Sequence, residues 1–255
     1  MFSESYPQSP TEIKKPLETR TKRLAVVCKA SLKPIFSEIK VFGYQNLDKL
    51  PKDRPIIFAT THLSNTDVTI AASELATKYN IKIVQASTHD YPMQSPSGYI
   101  SKIVGGNENF ISIRTKKVDG KEKGFFRPED YEPMVEHLRG GPILMAAYYN
   151  SDKKYVDDVL QSGVVLPEKG GVGAIWLAQK SKAIIVPTAI DINKKLAVVN
   201  FGEALDLEKI DEIDLFKNDL EKTRMISEKL REQSDLLMSS LAKMLPVEKR
   251  GRWNN

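Results

Sequence analysis

With four residues between them, His62 and Asp67 are the pair in this sequence best suited to move a proton. A carboxylate that accepts a hydrogen bond from one imidazole nitrogen fixes the tautomer and stabilises the imidazolium. The other nitrogen is then left to act as a base near neutral pH. The chain holds three histidines, His62, His89 and His137, so imidazole chemistry has few addresses. On one unbroken helix His62 and Asp67 would stand about 140° apart around the axis and could not touch. A turn must intervene, and Leu63-Ser64-Asn65-Thr66 supplies one. The same residues admit a plainer role, in which Asn65, Thr66 or Asp67 caps a helix and His62 is incidental.

Three further stretches carry polar groups at the ends of apolar runs. Gly105-Gly106-Asn107-Glu108-Asn109 leads into Phe110-Ile111-Ser112-Ile113-Arg114, with Lys116 and Lys117 just beyond. Arginine offers a bidentate fork and lysine a point charge, which is the chemistry of a phosphate clamp. An ordinary solvated loop has the same composition. Next, the run 143–147 opens into Tyr148, Tyr149 and Asn150, which can donate hydrogen bonds into a site or merely pack at a strand end. Last, Ile184-Ile185-Val186-Pro187-Thr188-Ala189-Ile190 is a core strand whose Pro187 predicts an edge position or a bulge.

The elements that must position these groups follow from pattern. Short apolar runs at 56–60, 81–86, 110–113, 143–147, 183–190 and 196–201 read as strands, and 67–79, 128–138 and 171–179 between them read as helices. Such alternation predicts an α/β domain over 41–210, a mostly parallel central sheet covered by helices. Residues 1–19, with Pro7, Pro10 and Pro16, read as a flexible lead-in. A basic amphipathic helix is expected over 20–40, kinked at Pro34. A long amphipathic helix with Phe216, Leu220, Leu230, Leu237 and Leu241 on one stripe is expected within the C-terminal piece 211–255, before Pro246.

Composition sets outer limits. A chain of 255 residues with 41% hydrophobic and 28% charged residues can bury a core, which excludes a mainly disordered protein. Apolar runs stop far short of the roughly 18 to 20 residues that cross a bilayer. The single cysteine, Cys28, makes no internal disulfide, and the first residues lack an apolar signal core, which predicts a cytoplasmic location. The net charge is +5, and residues 1–40 hold eight Lys/Arg against four Glu, a local excess of +4. Such an arm suits anionic lipid headgroups or, by the same attraction, nucleic acid; it also reads as a solvated helix face. No zinc spacing, helix-turn-helix or aromatic-basic interleaving supports nucleic acid, so none is expected as a partner.

Taken in order, the four blocks resemble the phospholipid/glycerol acyltransferase family, which includes the lysophosphatidate acyltransferases, over roughly residues 40 to 245. The first block of that family, the HX4D motif after a strand, is matched by His62 and Asp67. Gly106 and Phe110–Arg114 match the second, and Val186-Pro187-Thr188-Ala189-Ile190 matches the fourth. Lys169-Gly170-Gly171-Val172-Gly173-Ala174 is similar to the helix start that precedes the fourth. The third block departs: Phe-Pro-Glu-Gly-Thr-Arg-Ser is replaced by Ala146-Ala147-Tyr148-Tyr149-Asn150-Ser151-Asp152, without the acid and the arginine. Another Pro-Glu, Pro167-Glu168, lies too close to the fourth block and lacks Thr-Arg.

The resemblance implies a glycerophosphate-acyltransferase-like fold and acyl transfer from acyl-CoA or acyl carrier protein to the hydroxyl of a lysolipid-type acceptor, as in phospholipid biosynthesis. His62 is then the general base and Asp67 its orienting carboxylate. Arg114 with Lys116 or Lys117 holds an anionic headgroup, Gly106 forms the turn before them, and Tyr148 and Asn150 shape the acceptor pocket. No metal and no bound cofactor is called for; the acyl thioester is a co-substrate. Handling a lipid implies peripheral attachment to the inner face of the membrane, with the basic helix on anionic lipid. The altered third block leaves a second reading, a catalytically silent lipid- or acyl-binding protein on the same fold.

Overall fold

The computed structural model describes residues 26, 29–30, 32–63, 67–79, 84–88, 110–113, 115–118, 121–124, 128–148, 165–211, 213 and 220–254. In chain order these form β1 (Glu38–Phe42), α1 (Tyr44–Asp48), β2 (Ile56–Thr60), α2 (Asp67–Tyr79), β3 (Val84–Thr88), β4 (Phe110–Ile113), β5 (Thr115–Val118), β6 (Lys121–Gly124), α3 (Pro128–Leu138), β7 (Ile143–Ala146), α4 (Gly173–Ser181), β8 (Ile184–Asn193), β9 (Leu196–Phe201) and α5 (Leu220–Lys243). Seven strands make one sheet in the order β1-β9-β8-β2-β7-β3-β4. Every neighbouring pair is parallel except β8 with β9. The remaining two strands, β5 and β6, form a separate antiparallel ribbon.

Parallel strands must be covered on both faces, so their apolar residues run continuously and sort by parity. Ile57, Ala59, Ile143, Met145, Ile185 and Ala189 pack with α3, α4 and α5. Phe58, Leu144, Val186 and Ile190 pack with α2 and with Leu32, Phe36 and Leu47. Within the first layer α3 approaches α4 closely: a Cβ on Gly173 would lie 2.2 Å from the Tyr131 hydroxyl, and Tyr131 meets Trp176 edge-on. No helix among the described residues is long and apolar enough to cross a membrane.

Four expectations change. The basic helix does not reach residue 40, because Leu32 is the last helical residue described before a turn over Lys33–Ile35, and Glu38 already begins β1. Leu32 and Phe36 are buried in the second layer, so the domain starts before residue 41. Pro187 lies in a central strand, paired with Ala59 of β2. Its other side faces the point where β9 has ended: its carbonyl accepts the amide of Gly202 at 2.8 Å, and Ile185 exchanges hydrogen bonds with Leu205. The missing donor therefore falls opposite residues 203–204, where the chain leaves the sheet. Leu220 is exposed, since it sits about 80° around the axis from Leu230, off the stripe of Ile226, Leu230, Leu237 and Leu241. Phe216 and residues 1–25 lie outside the described residues.

Candidate active site

Strand order decides where a site can form. From β2 the chain crosses over β7 to β3 through α2, whereas from β7 it crosses back over β2 to β8 through α4. Right-handed crossovers in opposite directions put α2 and α4 on opposite faces, in agreement with the two apolar layers. The crossover direction therefore reverses between β2 and β7, and the carboxyl ends of strands at such a reversal are where open α/β sheets bind ligands. Register pairs Thr60 with Ala146, so continuing it brings His62 opposite Tyr148.

Three consecutive amides beyond β2 are each held by a different element. Thr61 N–H donates to the carbonyl of Thr188 in β8 at 3.1 Å. His62 N–H donates to the hydroxyl oxygen of Tyr148 at 2.9 Å. Leu63 N–H donates to Oδ2 of Asp67 at 2.7 Å, a charge-assisted bond to the first residue of α2. The Thr61 side chain extends the tie to β8, with Oγ1 accepting the Ile190 amide at 2.9 Å. Asp67 thus reaches back to Leu63, and its negative charge sits at the helix end that favours it.

Burial divides the group. Thr60, Thr61 and Asp67 have no exposed surface and Tyr148 is 3% exposed, while His62 is half-buried and is the member that reaches the surface. Burial pushes the Tyr148 phenol well above the tyrosine range, the charge of Asp67 adds to that, and the His62 amide bond opposes it. Tyr148 is therefore a neutral phenol across the working pH range.

On the far side, Gly171 N–H donates to the Ala147 carbonyl at 2.9 Å. A Cβ at Gly171 would stand 3.0 Å from that carbonyl oxygen and 3.2 Å from the Tyr148 Cα, so only glycine approaches this closely without displacing the Tyr148 backbone.

Of the residues singled out from the sequence, His62, Asp67 and Tyr148 are brought together here. Lys116 and Lys117 fall in β5, which forms a ribbon with β6 apart from the main sheet. Gly106, Arg114 and Asn150 lie outside the described residues. Thr61 and Gly171 were not singled out for the site; a threonine closing an apolar strand and a glycine pair before a helix were the available signals. Another buried acid, Glu74 of α2, ties the N-terminal segment to this layer through Tyr44 Oη at 3.1 Å and Lys29 Nζ at 3.3 Å. Among the described residues no group of three or more His, Cys, Asp or Glu is placed to hold a metal ion.

No family model matches the chain, and no curated protein does. Among solved structures it is similar to the 1-acyl-sn-glycerophosphate (LPA) acyltransferase PlsC from Thermotoga maritima. The TM-score is 0.52 at 14% identity, over 89% of this chain and 83% of that one. The chain therefore has the α/β fold of that acyltransferase.

Proposed function

We propose that the protein transfers an acyl group from an acyl thioester, acyl-CoA or acyl carrier protein, to the hydroxyl of a lysolipid-type acceptor. His62 takes the hydroxyl proton as the acceptor oxygen attacks the thioester carbonyl. The C–S bond then breaks, the ester C–O bond remains, and the proton passes from His62 to the departing thiolate. Asp67 balances the imidazolium during this cycle. Arg114, with Lys116 or Lys117, holds the acceptor's anionic headgroup beyond the Gly106 turn, and Asn150 borders the acceptor. What supports this reading is that His62, Asp67 and Tyr148 are tied together at the carboxyl ends of β2 and β7, where the crossover direction reverses, on a fold shared with a lysophosphatidate acyltransferase.

Access to lipid belongs to the proposal. β8 continues five residues past Thr188, the residue level with Thr60, so the β8–β9 tip stands on the order of 16 Å beyond the end of β2. Exposed Lys194 and Lys195 form that tip, and Ser37 N–H binds the Lys195 carbonyl, which brings the turn carrying exposed Lys33 beside it. Because Leu32 and Phe36 are already buried, this part of the N-terminal segment would meet an inner membrane face by charge, each lysine contributing about 1 kcal/mol.

The altered third block, Tyr148-Tyr149-Asn150 where the family has Glu-Gly-Thr, favours one alternative, a silent lipid- or acyl-binding protein. Both are tested by incubating the purified protein with labelled acyl-CoA or acyl carrier protein and a panel of lysolipids, then weighing the products. A new ester lost in His62→Ala supports the enzyme; binding of acyl chains without any ester, unchanged in His62→Ala, supports the binder.

A further inference from the structure

The three bonds that hold the His62 turn are not equivalent. The Thr61 bond extends the ladder with β8, and the Leu63 bond joins the chain to the first residue of α2, four positions on. The His62 bond joins residues 86 apart in sequence through a side chain, one step beyond the bond from the Ala147 amide to the Thr60 carbonyl that ends the β2–β7 ladder. Its acceptor is buried, neutral, and fixed from behind by the close packing of Gly171 on Ala147 and Tyr148.

We propose that Tyr148 is a positioning residue for His62: its hydroxyl oxygen, by accepting the His62 amide, sets the height and rotation of the main chain that carries the imidazole. This rests on His62 being the base. It gives Tyr148 a role other than contact with the acceptor, because its oxygen is engaged inside the protein. A base displaced by about 1 Å loses on the order of a hundredfold in rate while substrates still bind, which fixes the kinetic signature.

The test combines kinetics with amide hydrogen exchange. In the wild-type protein the His62 amide should exchange at least tenfold more slowly than exposed loop amides; free exchange there overturns the proposal without any variant. Tyr148→Phe keeps the ring and removes the acceptor. It should speed His62 exchange at least tenfold, leave the amides of α4 and α5 unchanged, and lower kcat 10- to 100-fold with both KM values within twofold. Gly171→Ala keeps the hydroxyl but moves its backbone, and should give a smaller loss of kcat with the same pattern, which covers the case in which Tyr148→Phe does not fold. Unchanged kcat in both variants, or a raised acceptor KM at constant kcat, overturns the proposal. If His62→Ala is fully active, the base assignment fails, and the exchange data still report whether Tyr148 holds the turn.

Discussion

Strands β2 and β8 lie side by side, and their two ends are fastened by different physics. At the amino end Arg54 forms a fork on Asp206, with both N···O distances 2.9 Å, and reaches the Lys182 carbonyl at 3.3 Å. Asp206 is largely in water there. At the carboxyl end Thr61 ties β2 to β8 through Thr188 and Ile190, and the next two amides, of His62 and Leu63, are held by the Tyr148 hydroxyl and the Asp67 carboxylate away from solvent. An exposed ion pair is weak because water competes for both partners, whereas an unmade buried bond leaves a desolvated group without compensation. The amino end is thus a replaceable clasp. The carboxyl end fixes the main chain that carries the half-buried His62, the base of the proposed reaction.

The comparison breaks if the carboxyl end proves dispensable for turnover. His62→Ala should lower acyl transfer by about a thousandfold, within the 10²–10⁴ range of a lost general base. Its melting temperature should stay near that of the wild type, because the main-chain bond to Tyr148 survives the substitution. Equal turnover, read by mass of the product ester, would remove catalysis from this end. Asp67→Ala should be costly in both measurements. It leaves the buried Leu63 amide without its charged acceptor, a loss of about 1.5–3 kcal/mol in urea unfolding, and deprives His62 of a counter-charge. An Asp67→Ala protein of wild-type stability would mean that the turn stands without its clamp.

Much of this frame is legible in the chain itself. β2, β4, β9, α2 and α3 begin and end where apolar runs and helical spacing place them, because each is bounded by proline, a polar cluster or a change of period. What was not legible is non-local. Glu38-Ile39-Lys40-Val41-Phe42 alternates like a strand, but it follows a helical stretch, and only its pairing with β9, more than 150 residues later, decides the matter. Pro187 reads as an edge signal until residues 202–205 show how the neighbouring chain departs. At the site, the spacing of His62 and Asp67 was visible, but the Leu63 group that Asp67 binds and the His62 group that Tyr148 binds are main-chain amides, and an amide has no side-chain signature. Tyr148 was visible as a polar group at a strand end; that its oxygen serves His62 depends on the β2–β7 register.

A subtler substitution sharpens the contrast. Thr61→Val is close to isosteric and removes only the hydroxyl that accepts the Ile190 amide. An orphaned buried donor costs about 1–3 kcal/mol, so urea unfolding should show a loss in that range, at the lower end because neighbouring ladder bonds remain. Turnover should also fall, since His62 follows directly in the chain. A neutral outcome would mean that the backbone bond from Thr61 to Thr188 suffices to hold this end.

The smallest effect belongs to the clasp. Arg54→Ala should cost less than about 1 kcal/mol and leave turnover unchanged, because the pair is exposed and the Ile184 amide still bonds the Pro55 carbonyl at 3.0 Å. Its pH dependence has a definite sign. Hydrogen bonding from Arg54 holds the Asp206 carboxyl below the usual carboxylate range, partly opposed by burial and aided by the guanidinium charge. A carboxyl whose folded pKa is depressed contributes its stability above its unfolded pKa, about 3.9, and loses it as pH falls through the lower folded value. Arg54 itself is shifted upward, beyond any pH the protein meets, and so adds no slope. Wild type and Arg54→Ala, compared by urea unfolding, should therefore differ at pH 7 and converge once the pH has fallen through the lowered folded pKa of Asp206. A difference that persisted in acid would show that the Arg54 bond to the Lys182 carbonyl, which does not titrate, is the stronger part of the clasp.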